Sequence, residues 1–309
     1  MEFKRIHRSV LLNECLTALK VGPGGVYADL TFGEGGHTEA MLKAGAKKVV
    51  AVDRDTHALI QYRSHGDFRD DPRLELHHLR FSEFSNVAEP SSFDGILIDL
   101  GVSTQQLLRP ERGFSFSAPG PLDMRMDPQS EERNLLELLD SANVDALAKE
   151  LERNTDMKPA TPIARALVEA HRRGELQTTA DLANLAKARG GKKHPATVIF
   201  LALRMWVNQE LKEIEVGIAP LLKLLKPGGR LAVITFHSTE DRAVKLLFKG
   251  LNGKCVCSAD QRICECAKQK QVELVYKKPV EPSREELRSN PRSRSAKLRC
   301  VELIGAMSQ

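Results

Sequence analysis

Two short apolar runs, Val26 to Leu30 and Lys48 to Val52, flank a loop and helix opening Thr31-Phe-Gly-Glu-Gly-Gly-His37, and the second run ends on Asp53. A strand feeding a glycine turn, then a helix, then a second strand with an acid at its tip leaves few architectures open. It reads as the first unit of a doubly wound α/β sheet. Gly33, Gly35 and Gly36 leave backbone N–H groups without a Cβ between them and a ligand, and an acid about 20 residues on can hold two ribose hydroxyls. The pattern predicts a nucleoside-cofactor site on Gly33, Gly35, Gly36 and Asp53. A dinucleotide fingerprint needs a third glycine at position 38, where this chain has Thr38, so S-adenosylmethionine is favoured over NAD. The competing reading is a plain glycine turn between strand and helix.

The alternation continues through Leu74 to Leu79 and Phe93 to Leu100, so four strands precede Gly101. Ahead of them Val10, Leu11, Leu12, Cys15, Leu16 and Leu19 recur at helical spacing until Gly22-Pro-Gly-Gly25 stops the helix. From about Thr104 to Phe200 the strand runs cease, and Leu135 to Leu139, Val144 to Leu151, Ile163 to Ala170 and Ala180 to Ala188 show helix spacing. An amphipathic helix over Ile214 to Leu225, a Lys226-Pro-Gly-Gly229 stop and a strand over Arg230 to Phe236 then resume the sheet. The expected fold is α/β, a discontinuous sheet domain at 1–103 and 201–309 interrupted by an all-α insertion at 104–200. Ligands of open α/β sheets sit beyond the carboxyl ends of the strands, here Thr31 to His37, Asp53, Phe81, Asp99 and Phe236 to His237. An insertion leaving just after Asp99 is expected to serve as a lid or substrate-recognition domain.

At 309 residues the chain can bury a substantial core, and its 28% charged and 5% aromatic content is that of a soluble globular protein. No apolar run approaches the ~18 residues of a membrane span. Glu2, Lys4, Arg5, Arg8, Glu14 and Lys20 leave no apolar core for a secretory signal, so a cytoplasmic, membrane-free setting is expected. Most of the +5 net charge sits in one segment: Arg284, Arg288, Arg292, Arg294, Lys297 and Arg299 against Glu285 and Glu286. Interspersed with Ser, Asn and Pro, these residues suit a phosphate-contacting loop, or else a solvated face.

Five further stretches carry a resemblance: Asp94-Gly-Ile-Leu-Ile-Asp-Leu-Gly-Val-Ser103, Arg112-Gly-Phe-Ser-Phe116, Gly120-Pro-Leu-Asp-Met-Arg-Met-Asp127, Phe236-His-Ser-Thr-Glu-Asp-Arg242 and Asn290-Pro-Arg-Ser-Arg-Ser-Ala-Lys-Leu-Arg299. In this order, from His7 to Arg299, the chain resembles the MraW-type small-subunit (16S) ribosomal RNA methyltransferases, which methylate the exocyclic N4 of a decoding-centre cytidine with S-adenosylmethionine. The resemblance implies a Rossmann-like class I methyltransferase domain with a helical insertion after the fourth strand. It places the cofactor on Gly35, Gly36, His37, Asp53, Phe81, Asp99 and Gln106, with Phe81 near the adenine. The chain departs from the family at Ser103-Thr-Gln-Gln106, which lacks the usual proline, at Asn154 to Arg165 and at Ala196 to Arg204. The last two departures either alter substrate contacts or repack a helix, with repacking favoured.

Because the sulfonium methyl is already activated, the chain's task is to bring a nitrogen into line with it at about 3–3.5 Å. The amino lone pair of cytosine is delocalised, so an acceptor on its N–H in a dry site helps it attack. Asp99 is the first candidate and His237 the second, with Asp241 nearby. The bland alternative for this stretch is a helix cap with Ser238 or Thr239 as N-cap and Glu240 and Asp241 in the first turn. Asp123, Arg125 and Asp127 are expected to hold an extruded base, or else to pin domains by ion pairs. Arg292, Arg294, Lys297 and Arg299 are the expected phosphate anchors for ribosomal RNA in an assembled or assembling small subunit. Cys255, Cys257, Cys264 and Cys266 form Cys-x-Cys, six residues, Cys-x-Cys. One-residue gaps splay thiols, so reduced surface thiols are favoured over a zinc loop, and a disulfide is least favoured; no metal is assigned. An NAD-dependent dehydrogenase is disfavoured by Thr38. The alternative function is a non-catalytic RNA-binding ribosome-assembly protein with this fold.

Overall fold

The computed structural model of the protein describes residues 9–187, 195–257, 261, 264, 266 and 269–305. In chain order the elements are α1 (Leu12–Ala18), β1 (Val26–Asp29), α2 (Gly36–Lys43), β2 (Lys48–Asp53), α3 (Thr56–His65), β3 (Leu74–His78) and β4 (Phe93–Asp99). A helical stretch follows: α4 (Thr104–Leu108), α5 (Leu135–Asp140), α6 (Val144–Asn154), α7 (Thr161–Arg172), α8 (Thr179–Lys187) and α9 (Pro195–Val207). Then come α10 (Glu210–Gly217), β5 (Leu225–Thr235), α11 (Ser238–Leu251), β6 (Val272–Leu274), α12 (Arg284–Ser289) and β7 (Lys297–Leu303). The chain divides into two compact units, Met1–Gly101 with Lys212–Gln309, and Val102–Leu211.

The first unit is built on one sheet in the order β3-β2-β1-β4-β5-β7-β6. Strands β1 to β5 run parallel, and β7 pairs antiparallel with both β5 and β6. This is the Rossmann-like class I methyltransferase arrangement. Central parallel strands are covered on both faces and therefore read as continuous apolar runs: Ile96, Leu97 and Ile98 of β4 are fully buried. On one side α1 and α2 close a core of Leu11, Cys15, Leu19, Met41, Leu42 and Leu97. On the other, Phe32 and Tyr62 pack with Ala51 and Leu59, their rings edge to face at 4.7 Å.

Two sequence expectations need correction in this unit. The single helix over Ile214 to Leu225 is in fact α10 ending at Gly217, a 3-10 turn over Ala219–Leu224, and β5 already begun at Leu225. Pro220 has no N–H to continue the helix. Gly217 is also where a Cβ would lie 2.7 Å from the Phe81 ring and 2.9 Å from Ser82. The segment from Arg284 to Arg299, expected to be one loop or face, contains α12, the turn that carries Arg292 and Arg294, and the start of an internal strand. Leu298, Cys300, Val301 and Leu303 of β7 are buried, so its basic residues alternate with core positions.

The second unit is helical, and its core joins Leu135 and Leu139 of α5, Leu147 and Leu151 of α6, Leu167 of α7, Leu182 of α8 and Leu203 of α9. Its limit at Leu211 falls after the expected 200. The reason is local: α9 runs to Val207, whose side chain joins that core. Immediately after it, the buried Asn208 accepts from the Met126 N–H at 2.8 Å and donates to the Met124 carbonyl at 2.7 Å. No described helix is long and apolar enough to cross a membrane.

Candidate active site

Parallel pairing of β2, β1 and β4 brings three carboxylates, Asp53, Asp29 and Asp99, to the carboxyl edge of neighbouring strands. Asp53 is gripped by the glycine loop: Oδ2 accepts from the Gly33 N–H at 2.6 Å and Oδ1 from the Asp55 N–H at 2.7 Å. Burial nevertheless pushes its carboxyl up from 3.8 to about 6, the two backbone N–H groups offsetting only part of the cost. Asp55 caps α3, accepting from the His57 N–H at 3.1 Å, and so ties the tip of β2 to the helix that follows.

The three glycines differ in the room around them. Only Gly33, at φ +56°, leaves the space of a Cβ open. At Gly35, φ +78°, a Cβ would meet Tyr62 at 2.6 Å and Phe32 at 2.8 Å, and at Gly36 it would meet the Ser9 Oγ at 2.0 Å. Close packing of the protein's own side chains by itself disfavours larger residues at these two positions.

Beside the loop lies a buried ionic group. His37 Nε2 is 3.7 Å from Asp99 Oδ2. Burial opposes the imidazolium, but Asp99, Asp29 and Glu286 outweigh it and hold His37 above its ordinary value. Asp29 is itself raised by burial, although His37 and hydrogen bonds from the Thr38 hydroxyl (2.8 Å) and the Thr31 N–H (3.4 Å) favour its charged form. Thr38, at the position of the missing glycine, therefore has a use of its own. The Thr31 hydroxyl also accepts from the Asp99 N–H at 2.5 Å, and Glu286 Oε1 accepts from the Leu11 N–H at 2.9 Å. Thr31 lies in the stretch expected beyond the strand ends, whereas Thr38 stood out only as the missing glycine and Glu286 only as a charge in the basic segment. A Ser/Thr on the loop beside a strand-end acid is a findable signal, whereas Glu286 lies 275 residues from its partner. Asp99 Oδ1 and both ring nitrogens of His37 are buried without a hydrogen-bond partner among the described residues. Buried polar atoms are rarely left so. A strand-end carboxylate that can hold hydroxyls, open space at Gly33 and these unsatisfied atoms together fit a polar, charged nucleoside ligand.

Phe81 opens a 3-10 turn after β3 and is half-buried, packed where Gly217 gives it room. Strand β5 lies beside β4, so Phe236 and His237 leave the same edge of the sheet. His237 is itself the N-cap of α11, correcting Ser238 or Thr239: its side chain accepts from the Glu240 N–H at 3.4 Å, and its Nε2 is 2.9 Å from Glu240 Oε1. Glu240 is buried and accepts from the Phe236 N–H at 2.8 Å. Asp241 receives Arg299 through two bonds, 2.7 and 3.1 Å, with Lys297 Nζ at 3.5 Å, which hold its carboxyl below the usual range against the effect of burial. Arg299 thus fastens α11 to β7. Arg292 and Arg294 are exposed on a turn fixed by the buried Ser293, whose hydroxyl donates to the Asn290 carbonyl at 2.8 Å.

Within the helical unit, Gln106 completes a capping box with Ser103 at the start of α4: its Oε1 accepts from the Ser103 N–H at 2.9 Å and its N–H donates to the Ser103 hydroxyl at 3.2 Å. Arg125 forms a fork with Asp123, both bonds 2.8 Å, and donates to the carbonyls of Ser130 and Glu132. The buried Asp127 accepts from the Gln129 N–H at 3.1 Å. Arg112, absent from the sequence-derived set, is buried and donates to the Met126 carbonyl at 2.7 Å. Ion pairs here pin one loop within its own unit.

The family model of the MraW methylase family matches residues 4–304. A protein of Thermomicrobium roseum named ribosomal RNA small subunit methyltransferase H is 42% identical over 307 residues, covering 96% of this chain and 94% of its own length. A protein of the same name from Carboxydothermus hydrogenoformans is 40% identical, covering 98% of this chain and 99% of its own. Among solved structures, an rRNA methylase from Streptococcus thermophilus matches with a TM-score of 0.41 at 13% identity, covering 97% of this chain and 99% of that one. By the extent of the family match and the identity to full-length relatives, the chain belongs to the MraW methylase family.

Proposed function

We propose that this protein methylates the exocyclic N4 of a cytidine in the decoding centre of small-subunit (16S) ribosomal RNA, using S-adenosylmethionine. The observation that carries the proposal is near full-length identity of about 40% to proteins named for this subunit, together with the Asp53, His37 and Asp99 edge of the sheet. When bound, S-adenosylmethionine supplies a methyl group already activated by its sulfonium. Asp53 accepts the ribose hydroxyls, the Gly33 to His37 loop carries the rest of the cofactor, and cationic His37 suits a ligand carboxylate. Asp99, with one carboxylate oxygen unsatisfied, is the acceptor available to orient an incoming N–H; His237 is placed chiefly to cap α11. Arg292 and Arg294 are the principal phosphate anchors, since Arg299 and Lys297 both face Asp241. The cytidine must leave its stack to be reached, and the substrate proposed is an assembled or assembling small subunit in the cytoplasm.

The test is mass spectrometry of nucleosides from small subunits lacking the modification, after incubation with the protein and isotopically labelled S-adenosylmethionine. Labelled N4-methylcytidine is the expected product. Label on another base would overturn the target, and cofactor binding without any labelled nucleoside would favour the non-catalytic assembly role.

A further inference from the structure

Outside this site, one cluster of reactive side chains has no use in the proposed reaction. Cys255, Cys257, Cys264 and Cys266 lie between α11 and β6, none of the four is in a disulfide, and their sulfurs lie within 4.8 Å of one another. The contacts are Cys257 to Cys266 at 3.4 Å, Cys264 to Cys255 at 3.5 Å and Cys266 to Cys255 at 4.0 Å. None of these separations is a disulfide, whose sulfurs sit about 2.05 Å apart. They are the spacing of a coordination shell: four thiolates about 2.3 Å from one tetrahedral ion are about 3.8 Å from each other. The same closeness argues against an iron–sulfur cluster, whose cysteines ligate different irons and stand further apart. The one-residue gaps that weighed against a metal from sequence alone do not splay the thiols here, because each pair meets the other across the loop.

The surroundings support the assignment. The base of the loop is zipped: the Gln271 N–H donates to the Leu251 carbonyl at 2.8 Å, and the Asn252 side chain to the Val272 carbonyl at 2.6 Å. At the other end the Val256 N–H points at Cys266 Sγ, 3.3 Å away, a bond that stabilises a thiolate ligand. Among the described residues of the loop, Val256 is 37% exposed. A loop this small cannot bury a core, and such segments are held by a staple, either disulfides or a metal.

We propose that Cys255, Cys257, Cys264 and Cys266 bind one zinc ion as a closed structural site that fixes the loop joining α11 to the edge strand β6. Binding displaces the thiol protons and leaves four thiolates on one divalent ion, with no change of oxidation state and no open position for catalysis.

The test uses the full chain, purified under reductant without a histidine tag. Elemental analysis is expected to give one zinc per chain. Cys257→Ser and Cys264→Ser are each expected to lose it, and Cys300→Ala, at a cysteine buried elsewhere in the core, to keep it. Cobalt added to the metal-free chain is expected to give the visible bands of a tetrahedral thiolate site, lost in the same two variants. Retained S-adenosylmethionine binding would show that those variants are folded. Zinc-independent alkylation rates at the four thiols, stoichiometric iron in place of zinc, or Cys–Cys bonds in protein kept anaerobic would each overturn the proposal.

Discussion

Asp53 carries opposing demands. A hydroxyl-binding carboxylate must be charged, yet burial raises it to about 6 and so places its titration just below neutrality. Protonation comes as the pH falls and removes an acceptor, so cofactor affinity is expected to be level above pH 7 and to drop below 6. Well below 6 the loss approaches about tenfold per pH unit. His37 is held above its ordinary value by Asp99, Asp29 and Glu286 against the effect of burial, so its charged form is favoured as the pH falls. Calorimetric titration of S-adenosylmethionine across pH 5 to 8 checks this, and Asp53→Ala is expected to remove both most of the affinity and its pH dependence. Gly35 tests packing rather than binding. Its φ of +78° and a Cβ at 2.6 Å from Tyr62 make Gly35→Ala a loss of about 2–4 kcal/mol, read as a fall in thermal midpoint.

At the scale of elements, the turn after Asn290 presents Arg292 and Arg294 while Ser293 stays buried. Arg294→Ala is expected to weaken RNA binding for all sequences alike and to lower the slope of affinity against salt by about one, with cofactor affinity unchanged. Filter binding across a salt series checks it; equal losses of cofactor binding in Arg294→Ala and Asp53→Ala would refute the division of labour. In the helical unit the corresponding joint is Asn208. Removing its amide strands a buried N–H and a buried carbonyl, so Asn208→Ala should cost about 2–4 kcal/mol and raise hydrogen exchange in α9 first. The strands β1 to β4 were legible because each is a short apolar run between helical patterns, and Asp53 and Asp99 because acids at strand tips follow from that layout. Strand β7 was not, since its buried Leu298, Cys300, Val301 and Leu303 are interleaved with Lys297, Arg299 and Glu302, and its charges dominate a reading by composition. The need for glycine at 217 depends on Phe81 from a distant turn, and the grip of Glu286 on Leu11 joins segments 275 residues apart. Local pattern carries no record of such contacts.

At the scale of the whole molecule, β7 lies between β5 and β6, so the seventh strand in the chain is the sixth in the sheet and an inner one. Every residue of β5 from Arg230 to Thr235 pairs with a residue between Lys297 and Glu302. Until those residues are synthesised, β5 presents an open row of backbone donors and acceptors, the kind of edge on which chains aggregate. Biosynthesis therefore sets a late checkpoint. A messenger broken after the codons for β6 yields a chain with its strands β1, β2 and β4 complete but no sealed sheet, a substrate for quality control and not a partly active enzyme.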